Sequence, residues 1–165
     1  MNKLRTRPAT LVPPPLVYAV GLGCGWWLQH RWPLGGHPPV WLQHIAEALL
    51  IASVGLMLWA AITIWRHNTT VNPYGSVTRL VTSGPFSLSR NPIYLADAVA
   101  YAALTVLLGS LWPLLFVPLV WATMHYGVIM HEERYLTDQF GEDYRAYTSR
   151  VKRWIGRAKL EPTTL

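Results

Sequence analysis

Apolar residues in this chain gather into four long blocks, at about residues 10–28, 41–65, 92–110 and 112–130. Each is close to the roughly 20 residues a helix needs to cross a bilayer core of about 30 Å. The pattern therefore predicts an all-α integral membrane protein with four transmembrane helices. The stretch "QHRWPLGGHPPV" joins the first two blocks, and its glycines and prolines mark a turn. Only "GSLW" separates the last two, which predicts a tight antiparallel hairpin. Between the second and third blocks lies a polar loop, residues 66–91, with Val71, Val77, Leu80, Val81, Phe86 and Leu88 scattered through it. That content is not disordered in type, and the loop is expected to pack against the ends of the spans. After the fourth block, Leu136, Phe140, Tyr144 and Tyr147 recur at helical spacing. They predict a C-terminal amphipathic helix over residues 131–154, lying on or returning to the membrane surface, with a weak point at Gly141. The whole chain, residues 1–165, reads as one domain.

Composition agrees with a lipid environment: 52% of residues are hydrophobic and 13% charged, about half the ~25% charge of a soluble domain. Tryptophans stand at or near several block ends (Trp26, Trp27, Trp41, Trp65, Trp112), where an amphipathic ring prefers the headgroup level. Pro13, Pro14 and Pro15 and the absence of a small-residue cleavage site argue against reading the first block as a signal peptide. Lys3, Arg5 and Arg7 precede it. Arg66, Arg79 and Arg90 lie between blocks two and three, and Arg134, Arg145, Arg150, Lys152, Arg153, Arg157 and Lys159 come after block four. Only Arg31 falls between blocks one and two, so both termini are expected in the cytoplasm. The net charge of +6 is then mainly a topology signal with attraction to membrane lipids, and no nucleic acid partner is expected. A lone Cys24, placed inside the first block, excludes an internal disulfide, and the histidines lack metal-ligand spacing. No metal is expected.

The polar segment "TSGPFSLSRNPIYLADA", Thr82 to Ala98, leads into the third block, and "HEER" comes directly after the fourth. In chain order the motifs are "LVTSGPF", "SRNPIY", "HEERYL", "FGEDYRAY" and "RVKRW". Together, over residues 72–154, they resemble the isoprenylcysteine carboxyl methyltransferase family and, more broadly, the small integral-membrane methyltransferases that include phospholipid methyltransferases. The likeness is nearest to the bacterial branch, which carries Arg-Asn-Pro where eukaryotic enzymes carry Arg-His-Pro. The resemblance implies an S-adenosylmethionine pocket at the cytoplasmic face, built from the loop and the last span. Its cofactor contacts would fall on Leu80, Val81, Phe86, Asn91, Pro92, Ile93, Tyr94 and Glu132, with Thr78 and Arg79 flanking. Elementary chemistry fits these positions. Pro92 lacks an N–H and suits a helix start, which makes Asn91 the expected N-cap. The positive end of that helix suits a carboxylate, Glu132 suits a sulfonium or ammonium, and Gly84 with Pro85 permits a sharp turn. Two positions depart from the eukaryotic pattern: Asn91 replaces a histidine, and Val128 replaces an arginine that holds the prenylcysteine carboxylate. An apolar residue cannot form that clamp, so the acceptor stays open.

His125, Val128 and Glu132 stand at i, i+3 and i+7, which in an unbroken α-helix places them on one face. That face is expected to line the acceptor channel, with His125 as candidate catalytic base or, equally, as a histidine bonded to a neighbouring span. Asp97, just inside the third block, either faces the pocket or makes a helix–helix contact. Glu47, with His44 three residues earlier, reads as an interfacial pair. The partner implied is a lipophilic or small-molecule methyl acceptor bearing a carboxylate, thiol or amine. The alternatives are a membrane reductase of the sterol-reductase type, for which no Gly-rich phosphate fingerprint is present, and a non-enzymatic membrane partner protein. The oligomeric state is open.

Overall fold

The computed structural model describes residues 12–67 and 77–156. Lys3, Arg5, Arg7, Arg157, Lys159, the first two residues of the 10–28 block and residues 68–76 of the loop, including Val71, lie outside that description. Among the described residues every regular element is helical. Helix α1 is Pro14–Arg31 and α2 is Val40–Arg66; a 3-10 turn spans Gly84–Ser87, and α3 is Pro92–Leu107. A fourth helical run then contains α4 (Trp112–Leu115), α5 (Val117–Met124), a π-helical turn at His125–Ile129 and α6 (Met130–Phe140), and α7 (Glu142–Thr148) comes next.

Prolines and glycines set most of these boundaries. Pro13 occupies the N-cap of α1 with Pro14 and Pro15 behind it, so this helix starts and ends later than the 10–28 expected. Helix α3 begins at Pro92, as read from the sequence, but stops at Leu107 rather than 110, where Gly109 takes φ +60°. The fourth run is not the single span 112–130. Pro118 has no N–H to give to Leu114, so the helix breaks at Phe116. Beyond the π turn it continues without interruption to Phe140 instead of restarting at 131, since no glycine or proline occurs from Val128 to Phe140.

One helix among the described residues, α2, is long and apolar enough to cross a membrane. Its 27 residues extend about 40 Å at 1.5 Å per residue. Helices α1 and α3 are shorter or less apolar, and the fourth run is broken, so the expectation of four spans is met in full by one helix. The outer surface is nevertheless apolar on every long element. Leu16, Val20, Trp26 and Trp27 of α1, Ile51, Leu58 and Trp65 of α2, and Leu119 and Trp121 of α5 are all exposed. Cys24 is exposed with them rather than buried, on the outward side of α1.

Helix α2 packs most extensively on α3. Ala46, Ser53 and Ala60 are buried at seven-residue intervals along α2, and Ala96 and Ala103 are buried on α3. Small side chains at that period let two helices approach closely. Helix α1 lies against α4 and α5, so the fourth run packs on α1 more than back on α3, unlike the simple hairpin expected from "GSLW". Val17, Tyr101, Val120, Met124 and Val128 form the core where these elements meet, and the Tyr101 hydroxyl donates to the Pro113 carbonyl at 2.7 Å.

Leu136, Phe140, Tyr144 and Tyr147 do share one surface, but it faces the protein rather than the membrane. Gly141, at φ +52°, turns α7 back on α6, a conformation that favours glycine. Tyr144, Tyr147 and Val151 are thereby buried with Leu80, Leu136 and Phe140 around them.

The contact between α1 and α4 is close enough to exclude a methyl group. A Cβ on Gly25 would stand 2.5 Å from Pro113 Cγ and 2.9 Å from its backbone N, whereas one on Gly23 would meet nothing within 4 Å. Gly23→Ala should therefore stabilise the detergent-solubilised protein by roughly 0.5–1 kcal/mol through helix propensity. Gly25→Ala should destabilise it by about 1–3 kcal/mol through overpacking. Thermal unfolding of the two variants checks this, and equal shifts would show that the contact is not tight.

Candidate functional site

The loop between α2 and α3 is held by α7 and by the C-terminal strip, residues 149–156. After the 3-10 turn, where Pro85 is buried, the chain enters a lattice of hydrogen bonds with that strip. The Arg90 N–H donates to the Lys152 carbonyl at 3.1 Å and the Gly156 N–H to the Leu88 carbonyl at 2.9 Å. The Ser89 hydroxyl donates to the Arg153 carbonyl at 3.3 Å, and the Asn91 side-chain amide donates to that same carbonyl at 3.3 Å. From α7, the Tyr147 hydroxyl donates to the Phe86 carbonyl at 2.6 Å. Asn91 thus stands at the N-cap position of α3 without capping it by its side chain, contrary to expectation, because the amide is engaged by the C-terminal strip.

Charge is sorted sharply at the start of α6. Glu133 accepts from Arg153 at 2.9 and 2.6 Å and pairs with Arg90 at 3.0 Å. Glu132, its neighbour, points to the other side and accepts a hydrogen bond from the Tyr94 hydroxyl at 2.6 Å. No cation pairs with it among the described residues. Burial pushes the Glu132 carboxyl up to about 7, with the Tyr94 hydrogen bond opposing and the Glu133 charge adding to the rise.

Glu132 and Tyr94 open onto a cavity of about 310 Å³, at the lower end of the roughly 300–1,000 Å³ of ligand pockets. All eight residues assigned by resemblance, Leu80, Val81, Phe86, Asn91, Pro92, Ile93, Tyr94 and Glu132, line this one cavity. Arg79 and Asp97 line it too, as do Pro14, Met57 and Ile64 from α1 and α2, so the cavity extends from the loop down between the first three helices. Sequence reasoning misses Tyr135, Tyr144 and Tyr147 on its wall. The helical recurrence of the last two is visible, but it reads as a membrane-facing stripe. The Glu133 clasp with Arg90 and Arg153 is missed as well, since no spacing links residues that far apart.

His125 is not brought to the cavity. The π turn at His125–Ile129 adds a residue to one helical turn and moves His125 off the face of Glu132. Its ring stacks on Trp121 at 5.0 Å and meets Tyr126 edge-on at 4.7 Å, and its Nδ1 is buried without a hydrogen-bond partner. Val128 sits in the bundle core, not on a channel. At the opposite end, His44 and Glu47 lie 3.2 Å apart as an exposed pair. No group of three His, Cys, Asp or Glu side chains that could hold a metal occurs among the described residues.

A helical bundle with an apolar exterior and an acid-bearing cavity at its polar end defines the class: a membrane-associated helical protein with a ligand-sized site. The sequence profile of the phospholipid methyltransferase family matches residues 42–143, and the chain belongs to that family. It is 34% identical over 131 residues to the cobalt-zinc-cadmium resistance protein CzcN of Cupriavidus metallidurans, covering 79% of this chain and 56% of that protein. It is 30% identical over 110 residues to the nickel-cobalt-cadmium resistance protein NccN of Alcaligenes xylosoxydans xylosoxydans, covering 67% of this chain and 47% of that protein. The chain thus spans about half the length of these relatives. No solved structure matches it.

The clasp predicts how the C-terminal strip responds to mutation. Glu133→Gln leaves Arg90 and Arg153 facing each other without a counter-charge, and loss of a partly buried ion-pair partner costs on the order of 1–3 kcal/mol. Tryptic cleavage after Arg150 and Lys152 should accelerate about tenfold or more in Glu133→Gln and stay near wild type in Glu132→Gln. Mass spectrometry of timed digests reads this directly; equal rates in all three proteins would dismiss the clasp.

Proposed function

We propose that the cavity binds S-adenosylmethionine and that the protein is a multi-pass membrane methyltransferase acting on a lipophilic or small acceptor. The observation that carries this is Glu132. It is a part-buried carboxylate with one hydrogen-bond donor and no paired cation among the described residues, aimed into a cavity bounded by every residue that the family resemblance assigns to the cofactor. Burying such a group costs stability unless a ligand completes it.

The residues present fit the cofactor. Glu132 offers an anion to the ammonium or sulfonium. Helix α3 begins at Pro92 without a side-chain cap, so the N–H groups of its first turn are available to a carboxylate. Leu80, Val81 and Phe86 give an apolar wall suited to an adenine ring. When bound, S-adenosylmethionine supplies an activated methyl carbon for in-line displacement. The chain's part is to fix that carbon beside the acceptor, which can contribute several kcal/mol, and to exclude water with α7 and the C-terminal strip. A nicotinamide dinucleotide is a poorer fit, because among the described residues lining the cavity Arg79 is the one cation not already paired with a carboxylate.

The deeper end of the cavity, between Pro14, Met57 and Asp97, is the natural approach for an acceptor arriving sideways through the bundle. A carboxylate, thiol or amine acceptor remains open there. A base role for His125 would require approach from the outer side of the fourth run instead. Placement in the membrane is inferred from the apolar exterior: α1, α2, α3 and the fourth run as far as about Met130 as four spans, with the cavity end, Glu132 included, and both termini in the cytoplasm. Arg66, Arg79, Arg90, Arg134 and Arg153 all lie towards the cavity end, while Arg31 ends α1 at the other, which supports this orientation.

Titration calorimetry of S-adenosylhomocysteine into the detergent-purified protein tests the reading. Wild type should bind saturably, and Glu132→Gln should bind about tenfold more weakly or worse, the scale of a lost charge-assisted hydrogen bond. The carboxyl at about 7 is mostly protonated below that pH and cannot then pair with an ammonium. Wild-type affinity should therefore rise between pH 6 and 8, and the variant's should not. Absence of binding by folded wild-type protein would overturn the proposal.

A further inference from the structure

We propose that a second, open groove behind the cavity docks the headgroup of an anionic phospholipid from the surrounding bilayer. The lipid's acyl chain would run along the exposed apolar stripe of the fourth helical run. This inference rests on the membrane placement proposed above and not on the cofactor.

The groove encloses about 550 Å³, and its lining carries Arg90, Arg134, Arg145 and Arg153 against the lone carboxylate of Glu133. Arg90 and Arg153 share Glu133, and Arg145 reaches the exposed Glu142, a pair that solvent screens. Arg134 is exposed and pairs with no carboxylate among the described residues. Four guanidinium groups thus face two carboxylates, an excess of positive charge directed into one concave surface. Guanidinium forks match phosphate oxygens in pairs, so the complementary ligand is a phosphate ester.

The position of the groove says where that phosphate comes from. Tyr126, Met130 and Arg134 recur at four-residue intervals and all three are exposed. Trp121, also exposed, meets Tyr126 edge-on at 6.4 Å. Met130 belongs to this apolar stripe and to the groove's lining at once. The stripe ends at Arg134 where the basic groove begins, so one amphiphile with a phosphate head and an apolar tail satisfies both. In the membrane placement proposed above that stripe already lies among acyl chains, so the phosphate nearest the groove is a lipid's. The groove and the cavity are also back to back: Arg90, Glu133 and Tyr144 line both.

Thermal unfolding of the full chain in neutral detergent, with increasing phosphatidylglycerol, phosphatidylcholine, glycerol 3-phosphate or inorganic phosphate, tests the proposal. Phosphatidylglycerol should raise the unfolding temperature saturably and phosphatidylcholine should not. The Arg134→Ala/Arg145→Ala double variant should need about 25-fold more phosphatidylglycerol, at roughly fivefold per basic residue near an anionic headgroup. Both side chains are exposed, so its lipid-free unfolding temperature should match wild type; Arg134→Gln alone, about fivefold weaker, serves if the double variant does not fold. Equal stabilisation by both lipids, an unchanged response in the variants, or a full effect from either soluble phosphate would each overturn lipid docking here. Resistance of the protein to alkaline carbonate extraction reports membrane residence separately, so a failure of that premise is distinguishable from a failure of the groove.

Discussion

Glu133 accepts from the Arg153 guanidinium on one side and pairs with Arg90 on the other, and the polar end of the molecule is organised around that arrangement. Arg90 belongs to the loop before α3, Arg153 to the strip after α7, and Glu133 to the helix that continues the fourth run. Three segments far apart in sequence are joined at one carboxylate. The bonds from Ser89, Arg90 and Asn91 to the strip run beside this point, and Arg90, Asn91 and Glu133 themselves line the cavity. Exchange of either arginine for a neutral residue would therefore be felt in the geometry of a site whose ligand need not touch it.

The neighbouring Glu132 shows what the clasp makes possible. Two adjacent glutamates in one helix cannot both be served by the same cations, and here the arginines take one and leave the other. Glu132 keeps only the Tyr94 hydroxyl, in surroundings that oppose its ionisation. A cationic ligand gains most from a carboxylate held in that state, since the desolvation has been borne by the fold before the ligand arrives. The same separation keeps the basic groove basic, because Glu133 is already saturated and neutralises little beyond its own two partners.

Much of this is legible in the chain. Helix α2 falls within one residue of its apolar block, and α3 starts at Pro92, because a proline and an abrupt change in polarity mark those boundaries. The eight cavity residues are found through the resemblance of their motifs to a known family, which carries information about proximity that periodicity lacks. Periodicity fails where the helix itself departs from 3.6 residues per turn: a π turn leaves no compositional trace, so the i, i+3, i+7 spacing puts His125 on a face it does not occupy. The tyrosines of α7 mislead for another reason. An amphipathic stripe says that something apolar covers it, and both a bilayer and Leu80 with Phe140 satisfy that condition. Cys24 misleads likewise, since burial within an apolar block is not required when the solvent outside the bundle is itself apolar.

The lacing of the C-terminal strip to the loop also fixes an order of events. Tyr147, Lys152, Arg153 and Gly156 are synthesised after every helix whose loop they hold, so the bundle of α1 to α5 can assemble while the cavity still lacks its outer wall. The segments that close the site are therefore the last of the described chain to be made, after every helix they close on. Lesions at Lys152 or Arg153 should accordingly disturb the loop and leave the α1–α5 packing in place, whereas lesions at Gly25 or in the α2–α3 seam strike that packing directly.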